Sequence, residues 1–135
     1  MRYSYQRITL IKSSRPEGRD INSDLQWLGS SLGLFNIRDK DKSTFRIFIE
    51  LLKNSKKKRL LSSDEIAERL KLSRGTVIHH MNKLMEAGIV MNERNRYLLR
   101  EDNLELLVTD IGKDIKRTVN DLRTIAKEID KWFEI

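Results

Sequence analysis

Two apolar stripes at helical spacing, separated by a short polar break, dominate the middle of the chain. They consist of Ile66, Ala67 and Leu70 on the first helix and of Val77, Met81 and Leu84 on the second. Ser62 and Glu65 precede the first stripe with the spacing of a capping box, which predicts a helix start. Ser73 can cap the second helix through its hydroxyl group. The pattern therefore predicts two short helices joined by a tight turn.

An extended hairpin is predicted after the second helix. Gly88 stands where helices commonly end in a left-handed residue, and the helical period stops there. Two short apolar runs, residues 89–91 and 97–99, flank a polar turn at residues 92–96, whose asparagines tolerate turn dihedral angles. Arginines at such a tip can follow a phosphate backbone or enter a minor groove. The candidate nucleic-acid contacts at the tip are Arg94, Asn95 and Arg96.

The outer face of the second helix is the candidate reading surface. Two short helices set at a steep angle leave this face uncovered, and a helix presented in this way fits the major groove of B-DNA. An arginine there either binds guanine through two hydrogen bonds or neutralises a phosphate, and asparagine has the chemistry that reads adenine. The candidate DNA-contacting residues are Ser73, Arg74, Gly75, Thr76, Ile78, His79, Asn82 and Lys83.

The run SSDEIAERLKLSRGTVIHHMNKLMEAGIV resembles archaeal winged helix-turn-helix transcription regulators of the ArsR-like class. The resemblance covers about 40 of the 135 residues closely and implies a recognition helix followed by a wing. The residues implied to face DNA are Arg74, Thr76, Ile78, His79 and Asn82, and those implied to face inward are Val77, His80, Met81 and Leu84. Winged helices also serve as protein-interaction and RNA-binding modules, so the motif predicts the fold more narrowly than the role.

The two adjacent histidines lead to different expectations. They point about 100° apart on a helix, so they cannot chelate one metal ion together. His79 either contacts a base or phosphate or is an ordinary exposed residue. We expect His80 to be half-buried and to form a hydrogen bond with the first helix of the domain or with the turn.

A further helix is predicted at residues 41–54, ahead of the motif. Its apolar stripe consists of Phe45, Phe48, Ile49 and Leu52. Four consecutive cations follow at residues 56–59, and they form either a solvated loop or phosphate contacts beside the helix pair. The candidate phosphate contacts in this region are Lys57, Lys58, Arg59 and Ser63.

The first 40 residues predict a strand and a short helix. Residues 3–11 are rich in β-forming side chains and predict a strand that pairs with the wing or with a partner chain. Asn22 or Ser23 can cap the helix, and Gly33 can stop it. This helix packs on its own domain or contributes to a dimer. Its apolar residues are Ile21, Leu25, Leu28 and Leu32.

One long helix is predicted at residues 102–133, with Asp102 and Glu105 able to cap its start. Apolar residues recur at alternating spacings of four and three, which is typical of helices that pack in pairs, and Thr118 is the polar exception. Such a helix spans roughly 45 Å, more than a small domain covers, so we predict a homodimer. In the alternative, its first half packs on its own domain and its second half meets the N-terminal helix. The predicted dimer residues are Leu104, Val108, Ile111, Ile115, Leu122, Ile125, Ile129 and Trp132.

Composition narrows the classes of function. The net charge is +7, with +3 in residues 1–40, +7 in residues 41–100 and −3 in residues 101–135, which fits a DNA-facing module joined to a partner-facing one. The chain has no cysteine, which excludes disulfides and thiolate metal sites, and its long helix has no histidine. It also has no P-loop, dinucleotide fingerprint or nucleophile elbow. We therefore expect neither an enzyme nor a cofactor or metal site.

The patterns together predict a mainly α fold with a small β-hairpin wing (α+β). The predicted parts are an extension at 1–40, a winged helix-turn-helix at 41–101 and a dimerisation helix at 102–135. No apolar run is long enough to span a membrane and no signal peptide is evident, so we expect a cytoplasmic protein. The predicted function is a homodimeric, sequence-specific transcription regulator on pseudo-palindromic double-stranded DNA, with no effector identified. The alternatives are an interaction subunit of a transcription or replication assembly and a non-specific architectural DNA binder.

Overall fold

The computed structural model describes residues 5–18, 20–36 and 38–134 of the chain. Over these residues the elements are α1 (Ile21–Ser31), α2 (Ser43–Ser55), β1 (Leu61–Ser62), α3 (Ser63–Leu70), α4 (Arg74–Glu86), β2 (Val90–Glu93), β3 (Arg96–Leu99) and α5 (Leu104–Trp132). The fold is mainly helical with a small antiparallel sheet. A winged helix-turn-helix is followed by one long helix, which confirms the predicted fold class.

Local caps define the helix pair as predicted. The Ser62 hydroxyl accepts a hydrogen bond from the backbone N–H of Glu65, and the Glu65 carboxylate accepts one from the backbone N–H of Ser62. Ser73 caps α4 by accepting from the backbone N–H of Thr76. Gly88 follows the end of α4 with φ of +77°, the left-handed conformation that the sequence required there.

Two predicted caps were wrong by one to three residues. Asp20 caps helix α1, because its carboxylate accepts from the backbone N–H of Ser23, so neither Asn22 nor Ser23 is the cap. Asn103 rather than Asp102 caps helix α5, with the Asn103 amide oxygen accepting from the backbone N–H of Leu106. Several neighbouring side chains can cap in each segment, and spacing alone does not select among them.

The core lies between α2, α3, α4, the sheet and the first turns of α5. Helix α2 packs against α3, α4 and β3, so it is covered over a wider arc than one stripe. Its fully buried positions are consequently Phe45, Ile47, Phe48 and Leu51. The predicted stripe was partly wrong, because Ile49 and Leu52 are only half-buried at its margin.

Helix α1 packs on its own domain, which confirms one of the two predicted alternatives. Gly29 is buried against the rings of Phe35 and Phe45, where an added Cβ would collide with Phe45. The chain that leaves the helix places Leu32 and Leu34 in the domain core. Part of the predicted 1–40 extension therefore shares a core with the winged domain.

Residues 5–11 do not form the predicted strand with the wing, so that alternative is wrong, while pairing with a partner chain stays a prediction. Residues 3 and 4 lie outside the described residues. The arm of residues 5–11 crosses the domain in an irregular path instead. The backbone N–H of Arg7 donates to the carbonyl of Glu86 at 2.9 Å, and that of Ile11 donates to the carbonyl of Ser31 at 2.8 Å. Both acceptors belong to the last residues of helices, whose carbonyls have no partner within the helix. The β-forming residues thus pair with helix ends, because no strand edge lies beside them.

The wing is a tight hairpin of β2 and β3, and it belongs to a sheet with one strand more than predicted. Val90 pairs with Leu99 and Glu93 with Arg96, so Arg94 and Asn95 alone form the turn. Both have positive φ, 53° and 64°, as a two-residue hairpin turn requires. On its other side β3 pairs with β1. The two residues of β1 carry no periodic signal, so the sequence did not reveal this strand.

Helix α5 has a covered and an uncovered part. Leu107 and Ile111 are buried in the core, and Leu104 and Ile115 are half-buried against it. Ile111 was therefore misassigned to the dimer interface, and the burial of Leu107 in the core was missed. The half-buried Leu104 and Ile115 are covered in part by their own domain and stay predicted dimer residues. The first half of the helix packs on its own domain, as the alternative stated. Residues 116–134 are all exposed, so the second half does not meet the N-terminal helix.

Candidate nucleic-acid interface

Helix α4 divides into the two faces that the sequence predicted. Its inward side chains are all buried, namely Val77, His80, Met81 and Leu84. Its other side is a continuous solvent-facing surface, the reading face, on which Thr76 and Ile78 are half-exposed. The fully exposed members of the reading face are Ser73, Arg74, Gly75, His79, Asn82 and Lys83. The structure thus brings all eight predicted residues of this helix together on one surface.

The start of α4 is open to a close approach. Arg74 Nε lies 3.5 Å from Asp64 Oδ1, and both side chains are largely exposed. Such a pair contributes little stability, so Arg74 can exchange Asp64 for a phosphate or a base. A Cβ placed on Gly75 would meet no other atom within 4 Å. Packing within the domain therefore does not require a glycine here. The missing side chain leaves space in which the backbone of a bound nucleic acid could approach α4 closely.

His80 holds α4 against α2 and takes no part in the reading face. It is only 8% exposed, and its Nδ1 lies 2.7 Å from the Thr44 hydroxyl on α2. Burial lowers the pKa of His80, and the carboxylate of Asp39 opposes this only in part. A neutral, structural His80 follows. The predicted hydrogen bond to the first helix of the domain is confirmed, although His80 is buried rather than half-buried.

The loop before α2 places two exposed cations, Arg38 and Lys40, beside α4, which the sequence analysis missed. Asp39 caps α2 by accepting hydrogen bonds from the backbone N–H groups of Ser43 and Thr44. This cap draws the loop alongside the middle of α4. An open groove results, in which the cations Arg38 and Lys40 alternate with Asp39 and Asp41 on the loop side. Its α4 side includes Thr76, His79 and Lys83. The alternating charges of residues 38–42 were the only sequence feature that could have indicated this loop. The tertiary structure alone shows that it lies beside α4.

The three candidate residues of the wing have different surroundings. Arg94 and Asn95 are exposed at the turn, and the described part of the chain offers Arg94 no ion pair. Arg96 instead points back to α3, with Nη1 3.1 Å from Glu65 Oε1. The Ser62 backbone N–H, with a smaller contribution from Arg96, lowers the pKa of Glu65, which keeps this carboxylate charged. Arg94 is therefore the cation most readily available at the tip.

The candidate phosphate contacts also divide. Lys57, Lys58 and Arg59 are exposed on the loop that leads into β1, next to the wing. Ser63 is buried at the start of α3. Its side chain is thus a poor candidate for a phosphate contact, and that assignment is not supported by the structure.

Within the described residues, neither a metal site nor a membrane-spanning helix is present. No group of three or more histidine, aspartate or glutamate side chains there is arranged to hold a metal ion. Among the same residues, no helix combines the length and the apolar character needed to cross a bilayer.

Residues 40–91 match the family model described as winged helix-turn-helix DNA-binding. This part of the chain is a winged helix-turn-helix. The match runs from the loop before α2 into β2, so it contains the whole reading face and lies outside α5. It supports a DNA-binding regulator with DNA as a partner. Comparisons with curated proteins and with solved structures gave no significant match to the chain.

Proposed function

We propose that the chain is a sequence-specific transcription regulator of the ArsR-like class that binds a pseudo-palindromic DNA site as a homodimer. The observation that carries the proposal is the uncovered polar face of α4, held beside a basic wing in the part of the chain with a net charge of +7. A polar helix face that covers nothing in its own domain is available to a partner, and the family match supports DNA as that partner.

The reading face and the wing would divide the work of recognition. The first turns of α4 enter the major groove, where Arg74, His79 and Asn82 present donors and acceptors to base edges. Arg94 on the wing and the exposed cations of residues 57–59 contact phosphates, which position the domain without reading sequence. Affinity should therefore fall steeply with salt, as counterions replace each cationic contact.

The uncovered half of α5 supports the homodimer. Six large apolar side chains are exposed along it. Five recur at spacings of three and four and the sixth follows the last of them directly, namely Val119, Leu122, Ile125, Ile129, Trp132 and Phe133. We call this set the distal stripe. A second copy of the same helix would cover it, as in paired helices with a heptad pattern. Dimerisation there would let two α4 helices enter successive major grooves about 34 Å apart.

The decisive test is a binding selection from random duplex DNA with the purified chain at about 150 mM salt, where non-specific binding is moderated. We expect enrichment of one site with two-fold symmetry. Retention of DNA at low salt without any enriched sequence would refute specific recognition and favour an architectural DNA binder. An enriched site without symmetry would refute the dimeric arrangement while leaving specific recognition standing.

The distal stripe also favours one alternative, an interaction subunit in which α5 docks on a different protein. Mass in solution separates the two. A stable dimer by sedimentation equilibrium supports the regulator, whereas a monomer at concentrations well above ~10 μM favours the interaction subunit, because typical specific dimers are tighter than this.

A further inference from the structure

One carboxylate on α5 gathers donors from three separate parts of the chain. Asp114 is only 5% exposed. Its two oxygens accept from both terminal nitrogens of Arg100, at 2.5 and 3.2 Å. Gln6 Nε2 donates to it at 2.9 Å, and Arg117 Nη2 donates to it at 2.5 Å. We call these four residues the Asp114 cluster.

The Asp114 cluster joins α5 to the DNA-reading part. Arg100 directly follows the second wing strand, and its Nη1 also reaches the carbonyl of Gly88 at the end of α4. The amide of Gln6 donates simultaneously to the carbonyl of Ala87, the C-cap residue of α4. Tyr5 reinforces this arm through a hydrogen bond from its hydroxyl to Glu86. The wing, the end of α4 and α5 therefore meet at Asp114. Asp110, one turn earlier on α5, adds a second and longer ion pair to Arg100, with Arg100 Nε 3.6 Å from Asp110 Oδ2.

The cluster is built from directional bonds. Two parallel hydrogen bonds between a guanidinium and a carboxylate fix orientation as well as distance. The Arg100 guanidinium holds the pKa of Asp114 below its usual range, and Asp114 raises the pKa of Arg100, so both groups stay charged. The apolar contacts of Leu107 and Ile111 resist separation of α5 from the core, but apolar contact is not directional and resists tilting less well.

Beyond Asp114, almost no contact with the domain fixes the direction of α5. Asp114 is the last buried residue of α5, and only Ile115 after it is half-buried. From Asp114 to Trp132 the helix extends about 27 Å. A tilt of about 10° at the cluster would move Trp132 by roughly 5 Å, which exceeds the ~3.4 Å rise of one base pair.

We infer that Asp114 is a positioning residue that fixes the direction in which α5 leaves the DNA-reading part, and thereby sets the spacing of the two half-sites. The consequence for half-site spacing rests on the proposed homodimeric function, whereas the fixed direction of α5 does not. Each subunit of a dimer held at the distal stripe would carry its α4 at an angle set by this cluster. Loss of the cluster should loosen spacing while leaving the reading of each half-site intact.

The direction of α5 can be measured directly, because the chain has no cysteine to interfere with labelling. Spin labels are attached at Glu68→Cys on α3 and Lys127→Cys on α5, both exposed positions. The labelled chain is diluted with excess unlabelled chain, so that only distances within one protomer are recorded by pulsed electron resonance. Asp114→Ala is compared with Asp121→Ala, which removes an exposed carboxylate seven residues further along the same helix.

We expect a narrow distance distribution in the parent chain and in Asp121→Ala. In Asp114→Ala it should broaden by about 3 Å or more, the displacement of a label some 20 Å from the pivot for a tilt of roughly 10°. Circular dichroism identifies any variant that has lost its helices, and Asp114→Asn, which preserves shape, replaces Asp114→Ala if that variant is unfolded. An unchanged distribution in a folded variant would overturn the positioning role.

The consequence for DNA is read by repeating the selection with both variants. Asp114→Ala should enrich the same half-site at several spacings, whereas the parent chain and Asp121→Ala should retain one spacing. The same single spacing for Asp114→Ala would overturn the spacing role. Failure of the parent chain to enrich any half-site would refute the proposed function instead, and the label distances would still decide whether Asp114 directs α5.

Discussion

The two halves of α5 continue one apolar pattern but have opposite surroundings. Ile111 is buried in the domain core and only 4% exposed, whereas Ile125, at the equivalent position two heptads later, is 54% exposed. Nothing in the spacing of apolar residues distinguishes these halves, because the heptad pattern runs through both. An amphipathic pattern thus indicates that one face of a helix packs against another surface. Only the tertiary structure shows whether that surface belongs to the same chain.

Truncation in the covered half should have the largest effect. Leu107→Ala removes a fully buried side chain and leaves a cavity, so we expect a loss of about 2–5 kcal/mol in the free energy of unfolding. The measurement is urea denaturation at low protein concentration. Leu122→Ala is the matched control and should change the stability of the separated protomer by no more than about 0.5 kcal/mol. Equal losses in the two variants would contradict the contrast between the halves.

A charge in the uncovered half should act on association. Leu122→Asp places a carboxylate within the distal stripe, and we expect the dimer dissociation constant to rise at least roughly 30-fold, or about 2 kcal/mol. Sedimentation equilibrium measures it. Asn120→Asp adds the same charge on the opposite side of the helix and should leave association nearly unchanged. If both variants dissociate alike, net charge rather than the stripe governs association.

The Asp114 cluster lies at the border of the two halves, and its contribution to the free energy of unfolding should depend on pH. Asp114→Asn is expected to cost about 1–2 kcal/mol at pH 7, since it weakens charge-assisted hydrogen bonds, one of them to the largely exposed Arg117. Because the pKa of Asp114 is lowered in the folded chain, its stabilisation is present above about pH 4, the unfolded pKa, and is lost as the pH falls through the folded pKa. Urea midpoints of the two proteins should therefore converge in acid. A constant difference from pH 7 to the acid limit would contradict this assignment.

Two glycines with open surroundings, one on the reading face and one on α5, allow the effect of an added methyl group on DNA binding to be compared between the two helices. A Cβ on Gly75 or on Gly112 would meet no atom within 4 Å. Each Gly→Ala change should stabilise its helix by up to about 0.5–1 kcal/mol. Only Gly75→Ala should weaken DNA binding, because its methyl group enters the space proposed for DNA. Unaltered DNA affinity in Gly75→Ala would show that the backbone of α4 does not approach DNA there.

The smallest expected change concerns the wing. Arg94→Ala should lower affinity for all sequences alike and reduce the slope of log affinity against log salt by about one. Arg123→Ala, on the exposed half of α5, removes the same charge and should leave that slope unchanged. Filter binding across a salt series measures both. A larger slope change for Arg123→Ala would place the DNA contact on α5 rather than on the wing.

The features predicted correctly depend on neighbours within a few residues. The Ser62–Glu65 capping box, the Ser73 cap and the left-handed Gly88 each involve one turn of chain. The buried and exposed sides of α4 follow from the helical period alone. Such features were available from the sequence because local hydrogen bonds and side-chain direction do not depend on distant residues.

The features that were missed join residues far apart in the chain. Gln6 meets Asp114 across 108 positions, and β1 pairs with β3 across more than thirty. The cations Arg38 and Lys40 belong to the candidate interface because the fold places the loop before α2 beside α4. No periodicity indicates such pairs, because their geometry is produced by the packing of several elements at once.

The sequence by itself determined the helices, the wing turn, the reading face of α4 and the concentration of positive charge around them. Tertiary structure alone decided which apolar residues of α5 join the core, which cations remain available and where the N-terminal arm runs. The physical reason is the range of the forces involved. Caps and periodicity act within one or two turns of helix, whereas burial depends on every surface that competes to cover a given side chain.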